Sequence, residues 1–338
     1  MASFHKTLVP VLLLVSCPGI AAVADAPKLD PSGYVLIANQ YEHTALLVDL
    51  SKKAQVARIE VGVNGHEVVV DPEGHFGYVP IYGNSGVGKP GTDGDHIDIV
   101  DLKAGKLVGN IPLGKPVRPH CARFGPDGFL YVSAELAQAL YVVDVKAKKV
   151  IGEIPTGAIE SHMFVLSPDG KRAYTSNVHA GSVSVLDLEK RSLITVIPVS
   201  KTVQRISISP DGRRVFTHDQ DSPIIEVIDT ATNKVLSKLD VPATVYSSQL
   251  TITGKTLVAV SPSGKLFVVN LEFNKLMASF DVPKALGEVA LTSDSTRAYV
   301  SCPAAGTIEI LNLNTYKLED PITLTPGVDG IQWFPAVK

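Results

Sequence analysis

Met163-Phe164-Val165-Leu166, Ser167-Pro168-Asp169-Gly170, Arg172-Ala173-Tyr174-Thr175-Ser176-Asn177, Ser182-Val183-Ser184-Val185-Leu186-Asp187-Leu188 and Leu193-Ile194-Thr195-Val196-Ile197-Pro198 follow one another within one stretch of the chain. The first, third, fourth and fifth pieces are apolar or alternating runs of strand length. The second is a turn whose Pro presets φ and whose Gly tolerates a positive φ. Four strands, here named A to D, are enough for one small antiparallel sheet. Outward from this copy the same order recurs, and the acidic or amide residue ending the third strand marks each repeat: Asp49, Asp101, Asp144, Asp187, Asp229, Asn270 and Asn312. The steps between them are 52, 43, 43, 42, 41 and 42 residues. A fixed period near 40 in strand-rich sequence is the mark of a radial propeller, whose blades hide their faces only against one another. Seven marks predict an all-β, seven-bladed propeller over residues 33–338.

The first repeat lacks its A strand, since Gly33 to Asn39 already reads as strand B. Val328-Asp329-Gly330-Ile331-Gln332-Trp333-Phe334-Pro335 has the missing pattern. The ring is therefore expected to close by a C-terminal strand joining the first blade, which leaves no open sheet edge.

The repeats resemble a known family. Ser-Pro-Asp-Gly turns, Tyr131-Val132-Ser133-Ala134, Tyr299-Val300-Ser301-Cys302 and the Val-x-Val-Leu-Asp ending are similar to the YVTN-repeat propellers of exported bacterial and archaeal proteins. The resemblance covers nearly the whole repeat region and implies the fold. Toward function it implies only a range, from cell-surface proteins to relatives of lactonases and lyases.

The N-terminus reads as an export signal over residues 1–24: Lys6, an apolar run from Leu8 to Val15, and Ala22-Val23-Ala24 before Asp25. Leu14-Val15-Ser16-Cys17 offers a lipoprotein alternative with Cys17 as the mature N-terminus. The expected location is periplasmic or secreted, with membrane contact only through such a lipid. A formal charge of −3 without any basic stripe excludes sequence-independent nucleic-acid binding. Cys121 and Cys302 fall in repeats three and seven, too far apart to bridge, so two free buried thiols are expected in a monomer.

In a propeller the loops joining D to A and B to C share one face, called the top here. His66, His120 and His162 occupy one equivalent place at the start of strand A in three consecutive repeats, and Gln204, Ser248, Gly287 and Asp329 fill it in the others. His43, His96, His179 and His218 map to B–C loops, as does Glu135. Imidazole is the commonest metal ligand, so His66, His120, His162 and Gln204 are the candidate set for a divalent metal of unknown identity. His179, His218, Glu160 and Arg205 are candidate proton-transfer and clamping groups. His43, His96, Arg118, Glu135 and Asp329 are candidate ligand-binding groups. Arginines beside histidines suit a carboxylated or sugar-like ligand. The expected function is a small polar or carbohydrate-like ligand bound at this face, with a metal-dependent lyase or lactonase-like hydrolase as its catalytic form. The alternative is a non-catalytic envelope scaffold that binds a protein or glycan.

The 52-residue step comes from an insertion between Tyr82 and Asp95, expected to lie over the top face as a lid. Gly83-Asn84-Ser85-Gly86-Val87-Gly88-Lys89 copies most of a phosphate loop, but Pro90 stands where Ser or Thr is needed, which excludes nucleotide binding. Asp93, Asp95 and Asp98 lack the remaining ligands of a calcium loop. No Gly-x-Ser-x-Gly or Cys-x-x-Cys motif is present.

Overall fold

The computed structural model describes residues 33–284 and 287–336, so the signal and lipid-anchor readings lie outside the described residues. Seven four-stranded antiparallel sheets form the blades of a ring. Among the described residues the helical content is one short 3-10 turn, Glu135–Ala137, and no helix is long and apolar enough to cross a membrane. In blade four, strands A to D run Ser161–Leu166, Arg172–Asn177, Ser182–Asp187 and Ser192–Pro198. Each neighbouring pair is antiparallel, because turns of a few residues can join only antiparallel neighbours.

Strands B and C are buried on both faces in every blade, while the outer D strands alternate toward solvent. Blades therefore pack face to face. Val258 and Leu266 of blade six share a cluster with Val300 and Leu311 of blade seven, and Val35 and Leu46 of blade one share another with Tyr299 and Ile308 of blade seven. Each such aliphatic side chain contributes about 1.5–3 kcal/mol of burial. The ring is held by these inter-blade layers, since adjoining sheets share no continuous ladder.

Closure follows the expected route. Val328–Phe334 pairs antiparallel with Tyr34–Asn39, with Tyr34 opposite Phe334 and Ile37 opposite Ile331. Cys121 and Cys302 are both free and buried. Burial pushes the Cys121 thiol up to about 11 and that of Cys302 to about 12, so neither is a nucleophile at neutral pH.

Candidate functional site

Every A strand begins at the top of the axis, and four of them begin with a register slip. The slips lie between Pro119 and Ala122, Ser161 and Met163, Val203 and Ile206, and, at the closing strand, opposite Ile37 and Asn39. A bulge re-aims the side chain it contains. Those side chains are His120, His162, Gln204 and Asp329. Two residues ahead of four ring positions the backbone turns through the left-handed region, at Asn64 (φ 60°), Arg118 (φ 51°), Glu160 (φ 54°) and Gly327 (φ 102°). For the three non-glycine residues this conformation costs on the order of 1 kcal/mol each, strain of the kind that collects at functional sites.

The three histidines meet. The ring centroids of His66 and His120 are 5.1 Å apart and those of His120 and His162 only 3.6 Å apart, with Tyr82 edge-on to all three. Register puts Tyr246, rather than the expected Ser248, in the ring position of blade six. Ser247 pairs with Val260 there, and Thr251 is the turn residue matching Ser167 and Ser209. Ser248 instead accepts or donates at 2.7 Å to His218 Nε2.

Carboxylates fix two of the imidazoles. His66 Nδ1 lies 3.0 Å from Asp329 Oδ2, and His162 Nδ1 lies 3.0 Å from Glu135 Oε2, which also accepts from the Tyr82 hydroxyl at 2.9 Å. A carboxylate accepts only, so Nδ1 carries the proton in both rings. His162 Nε2 then holds a lone pair and meets the Gln204 amide NH2 at 3.2 Å, while the Gln204 carbonyl is engaged by the Gln220 amide. His162 is thus satisfied on both nitrogens. His66, a quarter exposed, has no partner for Nε2 among the described residues, and its neutral form presents a lone pair there. His120 is buried with Nδ1 unpartnered. Burial, followed by the neighbouring His162, His66, Arg205 and Arg123, holds the His120 pKa well below the usual imidazole value. Burial also lowers His162, although Glu135 opposes the shift.

One residue further along the A strands lies an ionic floor. Arg205 of blade five, 4% exposed, reaches across the axis to Glu67 of blade two (2.9 Å), Glu288 of blade seven (3.3 Å) and Asp329 of blade one (3.9 Å). Arg123 adds a contact of 3.7 Å to Glu288, and Arg205 stacks 4.9 Å over the Tyr246 ring. The Arg205–Glu67 contact is ionic rather than a directed hydrogen bond, and both Glu67 oxygens lack a donor. Three carboxyls crowd one guanidinium, so burial drives the Glu67 pKa well above the usual carboxylate range despite the nearby cation.

The insertion becomes a strap. Strands B and C of blade two extend to Phe76–Gly83 and Asp93–Asp101, longer than expected, which leaves residues 84–92 as a tight hairpin. Arg118 donates to Asp93 (2.5 Å), the Lys89 carbonyl (2.7 Å) and the Gly86 carbonyl (3.1 Å), and lies 3.4 Å from Glu135. At Gly88 (φ +65°) a Cβ would stand 2.9 Å from Glu160 Oε1, so the hairpin arches from blade two over blade three to blade four.

Several expected roles change with these contacts. Arg118 is hydrogen-bonded within the chain, and Arg205 is buried among three of the chain's own acids although its Nε and Nη1 make no directed hydrogen bond, so neither is an exposed clamp for a carboxylate. Glu135 and Asp329, 3% and 1% exposed, hold histidines rather than facing a ligand directly. His218 lies inside strand B of blade five, Arg214–Asp219, instead of in a loop, and burial followed by Arg205 lowers its pKa to about 3. His179 is exposed and bonded to Glu160 at 2.6 Å beside the strap. His43 Nδ1 accepts from the Asn64 amide, and His96 sits between Asp95 and Asp98, so neither joins the central trio. Asp93, Asp95 and Asp98 have separate partners, Arg118, His96 and the Gly62 amide.

Among the described residues no group of three or more His, Cys, Asp or Glu side chains is arranged to hold a metal as placed. Two imidazoles on one tetrahedral ion at about 2.0–2.1 Å keep their centroids about 5 Å apart. His66 and His120 meet that spacing, whereas His120 and His162 are too close to share an ion without one ring turning. Tyr82, Tyr246, Glu288 and Arg123 escaped the sequence reading. Glu288 was legible in principle, since it occupies the column just after the ring position, with Glu67 and Arg205.

No protein-family model matches the sequence, and no curated protein matches it. Solved structures do match in fold. Kuenenia stuttgartiensis hydrazine synthase aligns at 18% identity and TM-score 0.69, covering 91% of this chain and 99% of that one. The dihydro-heme d1 dehydrogenase NirN in complex with DHE aligns at 14% identity and TM-score 0.66, covering 91% and 78%. A functionally unknown protein from Desulfotomaculum acetoxidans DSM 771 aligns at 13% identity and TM-score 0.73, covering 89% and 98%. The shared feature is the propeller.

Proposed function

We propose that the chain is an exported propeller of the YVTN-repeat type that binds a small polar, sugar-like ligand at the top of its axis, in contact with His66 and His120. The observation that carries this reading is unmet hydrogen-bonding capacity: His120 Nδ1 is buried without a partner, next to the open Nε2 of His66. A buried polar atom left unpaired costs about 1–3 kcal/mol, so a hydroxyl arriving there gains more than it would at a solvated surface. The neighbouring His162, Glu135 and Tyr82 are already bonded to one another and act as the rigid wall of the site. The export part rests on the composition of residues 1–24.

A second reading adds a divalent transition metal on His66 and His120. Its support is the carboxylate behind His66 Nδ1, the arrangement that orients metal-bound imidazoles and raises their basicity. Such an ion would supply Lewis acidity for a lyase or hydrolase.

Calorimetry against a panel of monosaccharides and polyols, with and without prior chelation, tests both. A bound sugar whose affinity falls at least about tenfold in His66→Ala and in His120→Ala supports the site, a change equivalent to about 1.4 kcal/mol. Binding that disappears on chelation and returns with zinc supports the metal reading. No binding by any member, or binding indifferent to both substitutions, removes the site and leaves the envelope-scaffold alternative.

A further inference from the structure

We infer that the ligand of this mouth carries a positive charge, so that among sugar-like molecules the amino sugars are preferred over neutral ones and acidic ones are rejected. The inference rests on the axial reading above and adds the ligand's charge. Five carboxyl groups surround the histidine trio and its floor: Glu67, Asp93, Glu135, Glu288 and Asp329. Three guanidiniums face them, and each is already occupied. Arg118 pairs with Asp93 and Glu135, Arg123 with Glu288, and Arg205 with Glu67, Glu288 and Asp329. Arg205 Nε and Nη1 lack a directed hydrogen bond but lie buried among those three carboxyls, so among the described residues no guanidinium at the mouth is open to an arriving anion, while acidic groups outnumber the basic ones.

Hydrogen-bond polarity points the same way. Asp329 accepts from His66 Nδ1, which leaves Nε2 of that ring without a partner on the side away from Asp329. Burial, followed by the neighbouring His162, His66, Arg205 and Arg123, holds the His120 pKa well below the usual imidazole value, so the ring is uncharged at neutral pH and offers one N–H and one lone pair. Next to the trio, the Tyr82 hydroxyl spends its hydrogen on Glu135 and the Gln204 amide spends one of its two on His162. The mouth and its floor therefore leave acceptors open at His66 Nε2, both Glu67 oxygens and Asp329 Oδ1, which suit an ammonium group with three N–H bonds and oppose a carboxylate with none. At the rim, Glu160 adds a further acid, bonded to His179 beside the strap. Burial raises the Glu67 pKa well above the usual carboxylate range even beside Arg205, and an ammonium group arriving nearby would favour its charged form.

The test is a series of related hexoses differing in charge: glucosamine, with an ammonium group at C2, glucose, and glucuronate, with a carboxylate at C6, titrated calorimetrically at pH 7 and low ionic strength, where the amino sugar is largely cationic. The expected order is glucosamine first and glucuronate last, with at least a tenfold gap that narrows as salt is added. Glucosamine binding should disappear in His66→Ala/His120→Ala, a variant checked for an unchanged circular dichroism spectrum. Glucuronate binding as well as or better than glucosamine overturns the charge inference while leaving the site standing. Glucosamine binding that survives the double substitution places the preference elsewhere and also overturns it. If none of the three binds, the site and the inference fall together.

Discussion

Removing residues 328–338 is expected to abolish the closed ring. The deleted segment buries Val328, Ile331, Trp333 and Phe334 between blades one, two and seven. At about 1.5–3 kcal/mol each, these four side chains supply about 6–12 kcal/mol, comparable with the whole stability of an ordinary domain. The loss does not end with packing. Tyr34–Asn39 would become an unpaired edge, free to pair with other chains. Blade two would also lose its brace, since Gly330 donates to the His66 carbonyl at 2.9 Å and Gln332 accepts from the Val70 amide at 2.8 Å. A Cβ at Gly330 would stand 2.3 Å from that carbonyl, so only glycine permits the approach. Size-exclusion chromatography of the truncated chain should show aggregates or oligomers, and thermal melting should lose its cooperative transition. A truncated monomer melting within a few degrees of the full chain would contradict the closure.

Replacing Arg205 with Met is the second large effect. The substitution keeps much of the volume but strips Glu67, Glu288 and Asp329 of the guanidinium they share. Leaving one side of a buried ionic group unpaired costs about 3–5 kcal/mol. The direction with pH follows from the charges. Burial already raises the Glu67 pKa above its unfolded value of about 4 and Arg205 opposes that rise, so without Arg205 it climbs further and the variant's deficit should grow as pH rises through it and shrink toward pH 5, where the acid takes up a proton. Urea denaturation of both proteins from pH 5 to pH 8 measures this. A deficit below about 1 kcal/mol, or one that does not change across that range, would show that the axial contacts are not the desolvated cluster described.

The fold could be read from the sequence because each blade is a near copy of its neighbour. The Asp187-type marker and the turn at Ser167-Pro168-Asp169-Gly170 recur often enough to fix strand boundaries within a residue or two. The histidine trio was legible for the same reason: His66, His120 and His162 stand five residues before a recognisable turn. Legibility failed where a repeat is degraded. In blade six, Thr251-Ile252-Thr253-Gly254 obscures the turn residue, so the ring position was assigned to Ser248 and Tyr246 was overlooked. It failed more deeply for the partners of each charged group. Arg205 looked like a clamp waiting for a ligand because its three acids come from blades one, two and seven, and only the ring's curvature brings them together. Glu135 and Asp329 looked like ligand contacts because sequence position gives the face of a residue but not its depth. The bulge at the start of the closing A strand, which sets the depth of Asp329, and the 3-10 turn that buries Glu135 leave no mark in the repeat pattern.

The central claim is that carboxylates from neighbouring blades hold the imidazoles of His66 and His162 so that Nε2, not Nδ1, is left to meet a partner. Long-range nitrogen–proton NMR correlation of histidine-labelled protein at pH 7 reads this directly. For His162 the account predicts a neutral ring protonated at Nδ1, changing to a mixture or to the Nε2–H form when Glu135→Gln removes the acceptor-only group. An Nε2–H tautomer or a charged His162 in the unaltered protein would contradict it.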